Sequence, residues 1–183
     1  MSKRRGKTAA LSGVYGEQTA ESLFRVAGFS LASYRSYRGD TPAAVRQYPV
    51  PHPFRPHKVR AGANDFMLFT GCDKVYCQVK NQDSSGTTDE KLSFAFDIAR
   101  YALTDDPYEQ FALILLGRWW PQNPGIIEWA TRKCTEFEML AGGTRASVRA
   151  VVLVGPMQLG EWLTGLETKR DQNGTALPFG DDE

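Results

Sequence analysis

Apolar and polar residues alternate along Lys74-Val75-Tyr76-Cys77-Gln78-Val79-Lys80-Asn81-Gln82, the pattern of a β-strand. Successive side chains point to opposite faces, so Val75, Cys77 and Val79 share one face. Tyr76, Gln78, Lys80 and Gln82 share the other, and a face of that composition marks either an exposed sheet edge or a functional surface. The apolar run Asn64-Asp65-Phe66-Met67-Leu68-Phe69 predicts a strand before it, with Thr70-Gly71-Cys72-Asp73 as the turn between. Upstream, Ala20, Leu23, Phe24 and Ala27 recur at helical spacing and predict a helix from Gly13 to Gly28, where glycine stops it. Phe29 to Tyr37 predicts a strand. Residues 39–57 hold Pro42, Pro49, Pro51, Pro53 and Pro56 and predict an irregular loop. Beyond Gln82, a polar loop leads into a helix over Asp89–Leu103, with Thr87 as N-cap and Glu90 completing a capping box. Phe111–Leu116 is a continuous apolar run, the mark of a strand covered on both faces. A loop over Gly117–Gly125 is followed by an amphipathic helix through Ile126, Ile127, Ala130, Cys134 and Phe137. A second buried strand, Val148–Val154, and a short helix, Met157–Leu166, complete the pattern. The expected fold class is α/β, a mixed β-sheet flanked by α-helices. The expected organisation is a single domain over residues 13–168, a flexible basic arm over 1–12 and a polar, acidic tail over 169–183.

Composition adds boundaries to this picture. No apolar run reaches the ~18 residues of a membrane span, and the basic N-terminus Lys3-Arg4-Arg5-Gly6-Lys7 lacks an apolar signal core. Three cysteines without a Cys-x-x-Cys pair suit a reducing, cytoplasmic setting. Net charge is +1, unevenly spread: residues 1–60 hold eleven Lys/Arg against three Asp/Glu, and the rest eleven against eighteen. A basic surface for an anionic partner beside an acidic half able to hold cations follows from that asymmetry. Arginines and tyrosines alternate in Tyr34-Arg35-Ser36-Tyr37-Arg38, which reads as a strand edge or as phosphate and base contacts. The proline-rich stretch carries Arg46, Arg55, Lys58 and Arg60 within or just after it, and is read as a DNA-facing loop. Its two histidines, His52 and His57, have no cysteine pair of suitable spacing for a zinc site. No Gly-x-x-x-x-Gly-Lys phosphate loop or Gly-x-Gly-x-x-Gly turn is present, and Ser-His-Asp or Cys-His catalysis has little to build on.

Asp65 at the head of an apolar run is costly unless paired or metal-bound. Asn64-Asp65, a hairpin-length gap and then Gln78-Val79-Lys80 resembles the PD-(D/E)XK nuclease superfamily. The continuation Lys80-Asn81-Gln82, then Ser85-Gly86-Thr87-Thr88-Asp89-Glu90-Lys91, looks like restriction-type members. Gly13, Glu17 and Gly28-Phe29 resemble the opening helix of archaeal Holliday-junction resolvases. Neighbouring Glu21 lies one turn further along and reads as an ordinary surface carboxylate. The resemblance implies a restriction-endonuclease-like fold, best matched over residues 13–117, and hydrolysis of DNA with Mg²⁺, for which Mn²⁺ substitutes. It implies Asp65 as the central metal ligand, Glu17 and Gln78 as further ligands, and Lys80 as the group that holds water or stabilises the transition state. Gln82 and Lys91 would then contact phosphate, with Arg35, Arg38, Arg55, Lys58 and Arg60 as further DNA contacts. Two departures stand out: Asn64 replaces a common proline, and Gln78 replaces an Asp or Glu, weakening the metal site. Three functions therefore remain open. They are a restriction-type endonuclease, as a homodimer or beside a larger recognition subunit; a structure-specific nuclease such as a junction resolvase; and a catalytically weakened DNA- or partner-binding module.

Overall fold

A computed structural model describes the backbone of residues 3–39, 41–52, 55–60, 65–71, 73–84, 88–105, 108–141 and 148–173. The chain runs α1 (Lys3–Val26), β1 (Ser30–Ser33), β2 (Ala43–Arg46), β3 (Val50–His52), β4 (Arg55–Arg60), β5 (Phe66–Phe69), β6 (Lys74–Asn81) and α2 (Thr88–Asp105). It continues with β7 (Gln110–Leu116), a 3₁₀ turn (Trp120–Gln122), α3 (Pro124–Ala141), β8 (Arg149–Val154) and α4 (Gly155–Asn173). Six strands form one mixed sheet in the order β1-β2-β5-β6-β7-β8, and β3 pairs with β4 separately. Strands β2, β5 and β6 make an antiparallel meander, while β1 joins β2, β7 joins β6 and β8 joins β7 in parallel. This is the expected α/β architecture, a mixed sheet flanked by four helices, consistent with a fold of restriction-endonuclease type.

Alternation within the strands sorts the core into two layers. From β6 and β7, Tyr76, Phe111, Leu113 and Leu115 pack with Leu92, Phe96 and Ala99 of α2 and with Ala130, Cys134 and Phe137 of α3. The opposite side chains, Val75, Cys77, Val79, Ala112 and Ile114, pack with Ala20 and Phe24 of α1 and with Leu159 and Leu163 of α4. Strand β7 is buried along its whole length, as its unbroken apolar run requires. Full burial of one such side chain stabilises by about 1.5–3 kcal/mol.

Several elements differ from expectation. Helix α1 begins at Lys3, so residues 3–12 continue a helix where an arm was expected, and α4 reaches Asn173. The strand expected over Phe29–Tyr37 is confined to Ser30–Ser33, and a turn follows it. The expected loop over residues 39–57 contains β2, β3 and the start of β4. Ala43, Ala44 and Val45 of β2 are fully buried and supply the first strand of the meander. Pro42, Pro49, Pro51 and Pro56 punctuate this segment without preventing strands, because they flank strands or lie in the separate two-stranded ribbon. Strand β6 is central rather than an edge, flanked by β5 and β7. Strand β8 is an edge strand, with Leu153 its only buried residue. Two outward amides on that edge are capped by side chains: Ala150 N–H donates to Glu138 Oε1 at 2.7 Å and Val154 N–H to Gln158 Oε1 at 2.8 Å. Such capping blunts an edge that would otherwise pair with another strand. Within the Gly117–Gly125 loop, Trp120 is fully buried and its indole donates to Leu116 O at 2.8 Å. That tryptophan belongs to the core, not to a recognition surface. Thr87 of the expected capping box and the side chains of Glu90, His52 and His57 lie outside the described residues. No helix among the described residues is long and apolar enough to cross a membrane.

Candidate active site

Asp65 directly precedes β5 and is fixed at its backbone from both neighbouring strands. Its N–H donates to Cys77 O at 3.3 Å and its carbonyl accepts Gln47 N–H at 3.2 Å. Its side chain turns to β6, where Oδ2 accepts Val79 N–H at 2.6 Å and lies 3.5 Å from Lys80 Nζ. The Lys80 ammonium also donates to Gln78 Oε1 at 2.8 Å and to Val79 O at 3.2 Å. Gln78 is 4% exposed, and its Nε2 donates to the Tyr76 hydroxyl at 3.3 Å. Burial pushes the Tyr76 phenol far above its ordinary range, so it stays protonated. The Gln78 amide is thereby oriented, nitrogen toward Tyr76 and oxygen toward the lysine. The Gln-x-Lys spacing places both side chains on one strand face, and the carboxylate across the hairpin meets them.

Glu17 reaches this group from α1. The helix lies close over β6 because residue 16 is glycine: a Cβ there would stand 2.5 Å from Asn81 Cβ. Glu17 pKa is raised, first by burial and then by repulsion from Asp65, with Glu21 adding to it and Arg46 and Lys80 opposing. Arg46, the last residue of β2, places a guanidinium nitrogen 3.7 Å from Glu17 Oε2 and its Nε 2.8 Å from Glu21 Oε1. The second contact is an ion pair without hydrogen-bond alignment, since Glu21 Oε1 is buried and accepts no hydrogen bond. Glu21 is therefore part of a charged cluster, not an ordinary surface carboxylate.

Of the four residues expected at the centre, Asp65, Gln78 and Lys80 come into contact, and Glu17 of α1 lies near enough for the charges of Asp65 and Lys80 to act on it. Their donors are two carboxylates and an amide oxygen, and among the described residues no group of three or more His, Cys, Asp or Glu is placed to hold a metal. Mg²⁺ is commonly held through one or two carboxylates with waters completing its shell. A cation there would offset the repulsion that Asp65 exerts on Glu17. Two carboxylates and an amide oxygen are of the donor type that Mg²⁺ takes, and the amide oxygen here is shared with Lys80.

The outer residues divide. Gln82 is 5% exposed, and neither of its amide atoms finds a partner among the described residues. Its backbone is clamped: Gln82 N–H donates to Leu116 O at 2.9 Å and Trp119 N–H to Gln82 O at 3.1 Å. Gly117 (φ +98°) passes so close to the Gln82 carbonyl that no side chain fits. Lys91 is exposed on α2. Arg35 and Arg38 are exposed in the turn after β1, and Arg38 Nη1 donates to Arg35 O at 2.9 Å and Tyr37 O at 3.0 Å. Tyr34 and Tyr37 pack on Tyr48 and Phe69, with ring centroids 5.3 and 4.8 Å apart. The tyrosines thus anchor the turn to the sheet. No contact joins Arg35 or Arg38 to the Asp65 group among the described residues. Arg55, Lys58 and Arg60 lie on β4, and their side chains are outside the described residues. The sequence reading passed over Gly16 and put Arg46 in a DNA-facing loop, whereas it ends a strand and pairs with Glu17 and Glu21. The signal for Arg46 was the short apolar run Ala43-Ala44-Val45 before it, framed by Pro42 and Pro49. No protein-family model matches the chain, and no curated protein or solved structure matches it significantly.

Proposed function

We propose that the protein is a metal-dependent DNA endonuclease of restriction type. The observation that carries this reading is the convergence of Asp65, Lys80, Gln78 and Glu17 at one end of the central hairpin. Phosphodiester hydrolysis builds negative charge on phosphorus oxygens, and a fixed cation at that point lowers the barrier. Lys80 is such a cation, held between Asp65, Gln78 and the Val79 carbonyl rather than waving in solvent. Asp65 is fixed by the Val79 amide and orients the lysine and any water beside it. Mg²⁺, held by Asp65, Glu17 and the Gln78 oxygen with Mn²⁺ as substitute, would add positive charge for the phosphoryl oxygens and make water more acidic. Under this reading the partner is DNA, with a second copy or a larger recognition subunit completing a double-strand cut, in the cytoplasm.

One observation favours a second reading. Gln78 Oε1 is engaged by Lys80 at 2.8 Å, which leaves a neutral and shared ligand where a carboxylate would bind more strongly. On that reading the chain is a weakened binding module. Incubation of pure protein with supercoiled plasmid and Mg²⁺ separates the two. The nuclease reading predicts nicked or linear product that EDTA and Asp65→Ala both abolish. Intact plasmid at all Mg²⁺ and Mn²⁺ concentrations rules for the module. Preference for a four-way junction over linear duplex would assign the activity to a structure-specific nuclease using the same residues.

A further inference from the structure

Arg46 stands between two carboxylates, Glu17 and Glu21, and is poorly fastened to both. Its guanidinium is 3.7 Å from Glu17, and its closer approach to Glu21 lacks hydrogen-bond alignment. The arginine side chain is 44% exposed, whereas that of Glu21 is 15% exposed. Its backbone, by contrast, is fixed: Arg46 is in register with Phe66, its carbonyl accepts Tyr34 N–H at 3.2 Å, and the next residue donates to Asp65 O. A backbone fixed in the sheet, a half-exposed charged end and a loosely paired guanidinium describe a group able to exchange partners. An arginine fork recognises phosphate as readily as carboxylate.

We propose that Arg46 is a counter-ion gate of the candidate active site, neutralising Glu17 and Glu21 in the free protein and passing to a DNA phosphate when a divalent cation takes its place beside Glu17. The proposal rests on the nuclease reading and adds a positioning residue to it. Two effects of opposite sign follow. Removing Arg46 takes a competing positive charge away from the carboxylates, so divalent cations bind more tightly. It also removes one phosphate contact, so DNA binds more weakly.

The test uses calorimetric titration of Mg²⁺ without DNA, and duplex binding with Mg²⁺ in a cleavage-impaired Lys80→Ala background. Arg46→Ala is expected to tighten Mg²⁺ about two- to fivefold, the size of a half-exposed ion pair. It should lower the slope of log affinity against log salt by about one. Arg46→Gln, closer in volume, repeats both measurements should the alanine variant fail to fold. Unchanged or weaker Mg²⁺ binding, or an unchanged salt slope, makes Arg46 a plain structural ion pair and overturns the gate alone. Wild-type protein with no Mg²⁺ binding that Asp65→Ala removes overturns the nuclease reading and the gate together.

Discussion

Glu17 is held in an environment that disfavours its charged form. Burial and the Asp65 carboxylate raise its pKa above the ordinary 4.5, against the pull of Arg46 and Lys80. The folded protein therefore binds this proton more tightly than the unfolded chain does. The resulting stabilisation is present below the ordinary carboxylate pKa and is lost as pH rises through the raised value. At pH 7–8 the ionised Glu17 is a net cost, of the kind functional sites carry. Glu17→Gln should raise the melting temperature at pH 7–8, and the gain should vanish below about pH 4. A lower melting temperature at pH 7–8 would mean that the Arg46 ion pair outweighs repulsion and burial. Lys80 is balanced differently. Its ammonium has Asp65, Gln78 and a backbone carbonyl within reach, so it is organised before any substrate arrives.

At the scale of elements, the site depends on how closely α1 lies over β6. Gly16→Ala puts a methyl 2.5 Å from Asn81 Cβ, a separation that side chains do not tolerate. The helix must lift, at an expected cost of about 1–3 kcal/mol, and Glu17 moves with it. Urea unfolding checks the stability and Mg²⁺ titration the displacement; a variant unchanged in both would show that helix and strand are not in fixed contact. Much of this was legible in the sequence. The alternation over Lys74–Gln82 gave β6, and the unbroken run Phe111–Leu116 gave β7 with both faces covered. The Asp65 to Gln78-Val79-Lys80 spacing gave a pair of neighbouring strand positions, because a hairpin register is set locally. What escaped was non-local. Strand β2 has only four residues between prolines, and only its burial between β1 and β5 makes it a strand. With β2 missed, Arg46 had no reason to stand beside Glu17. The polar face of β6 read equally well as an edge; β7 and α2 make it interior, and burial of Gln78 and Gln82 follows from that.

For the whole molecule, one charged group occupies the end of a well-packed sheet. Two apolar layers, one under α1 and α4 and the other under α2 and α3, cover both faces of that sheet. Rigid support is what a preorganised site requires. The pairing of Arg46 with Glu17 and Glu21 lies wholly within the basic residues 1–60, while Arg35 and Arg38 of the same part remain exposed. The central claim is that this group hydrolyses a DNA phosphodiester, with Asp65 and Lys80 at the reacting atoms. Single-turnover cleavage of an end-labelled duplex in Mg²⁺, with wild type compared to Asp65→Asn and Lys80→Ala, tests it most directly. Asp65→Asn keeps the side chain's size and an oxygen for the Val79 amide, so the fold should persist. The account predicts product from the wild type and a rate loss of about 10²-fold or more in each variant, with melting temperatures close to wild type. Cleavage undiminished in both folded variants, or no cleavage of duplex, plasmid or junction by the wild type, would contradict it.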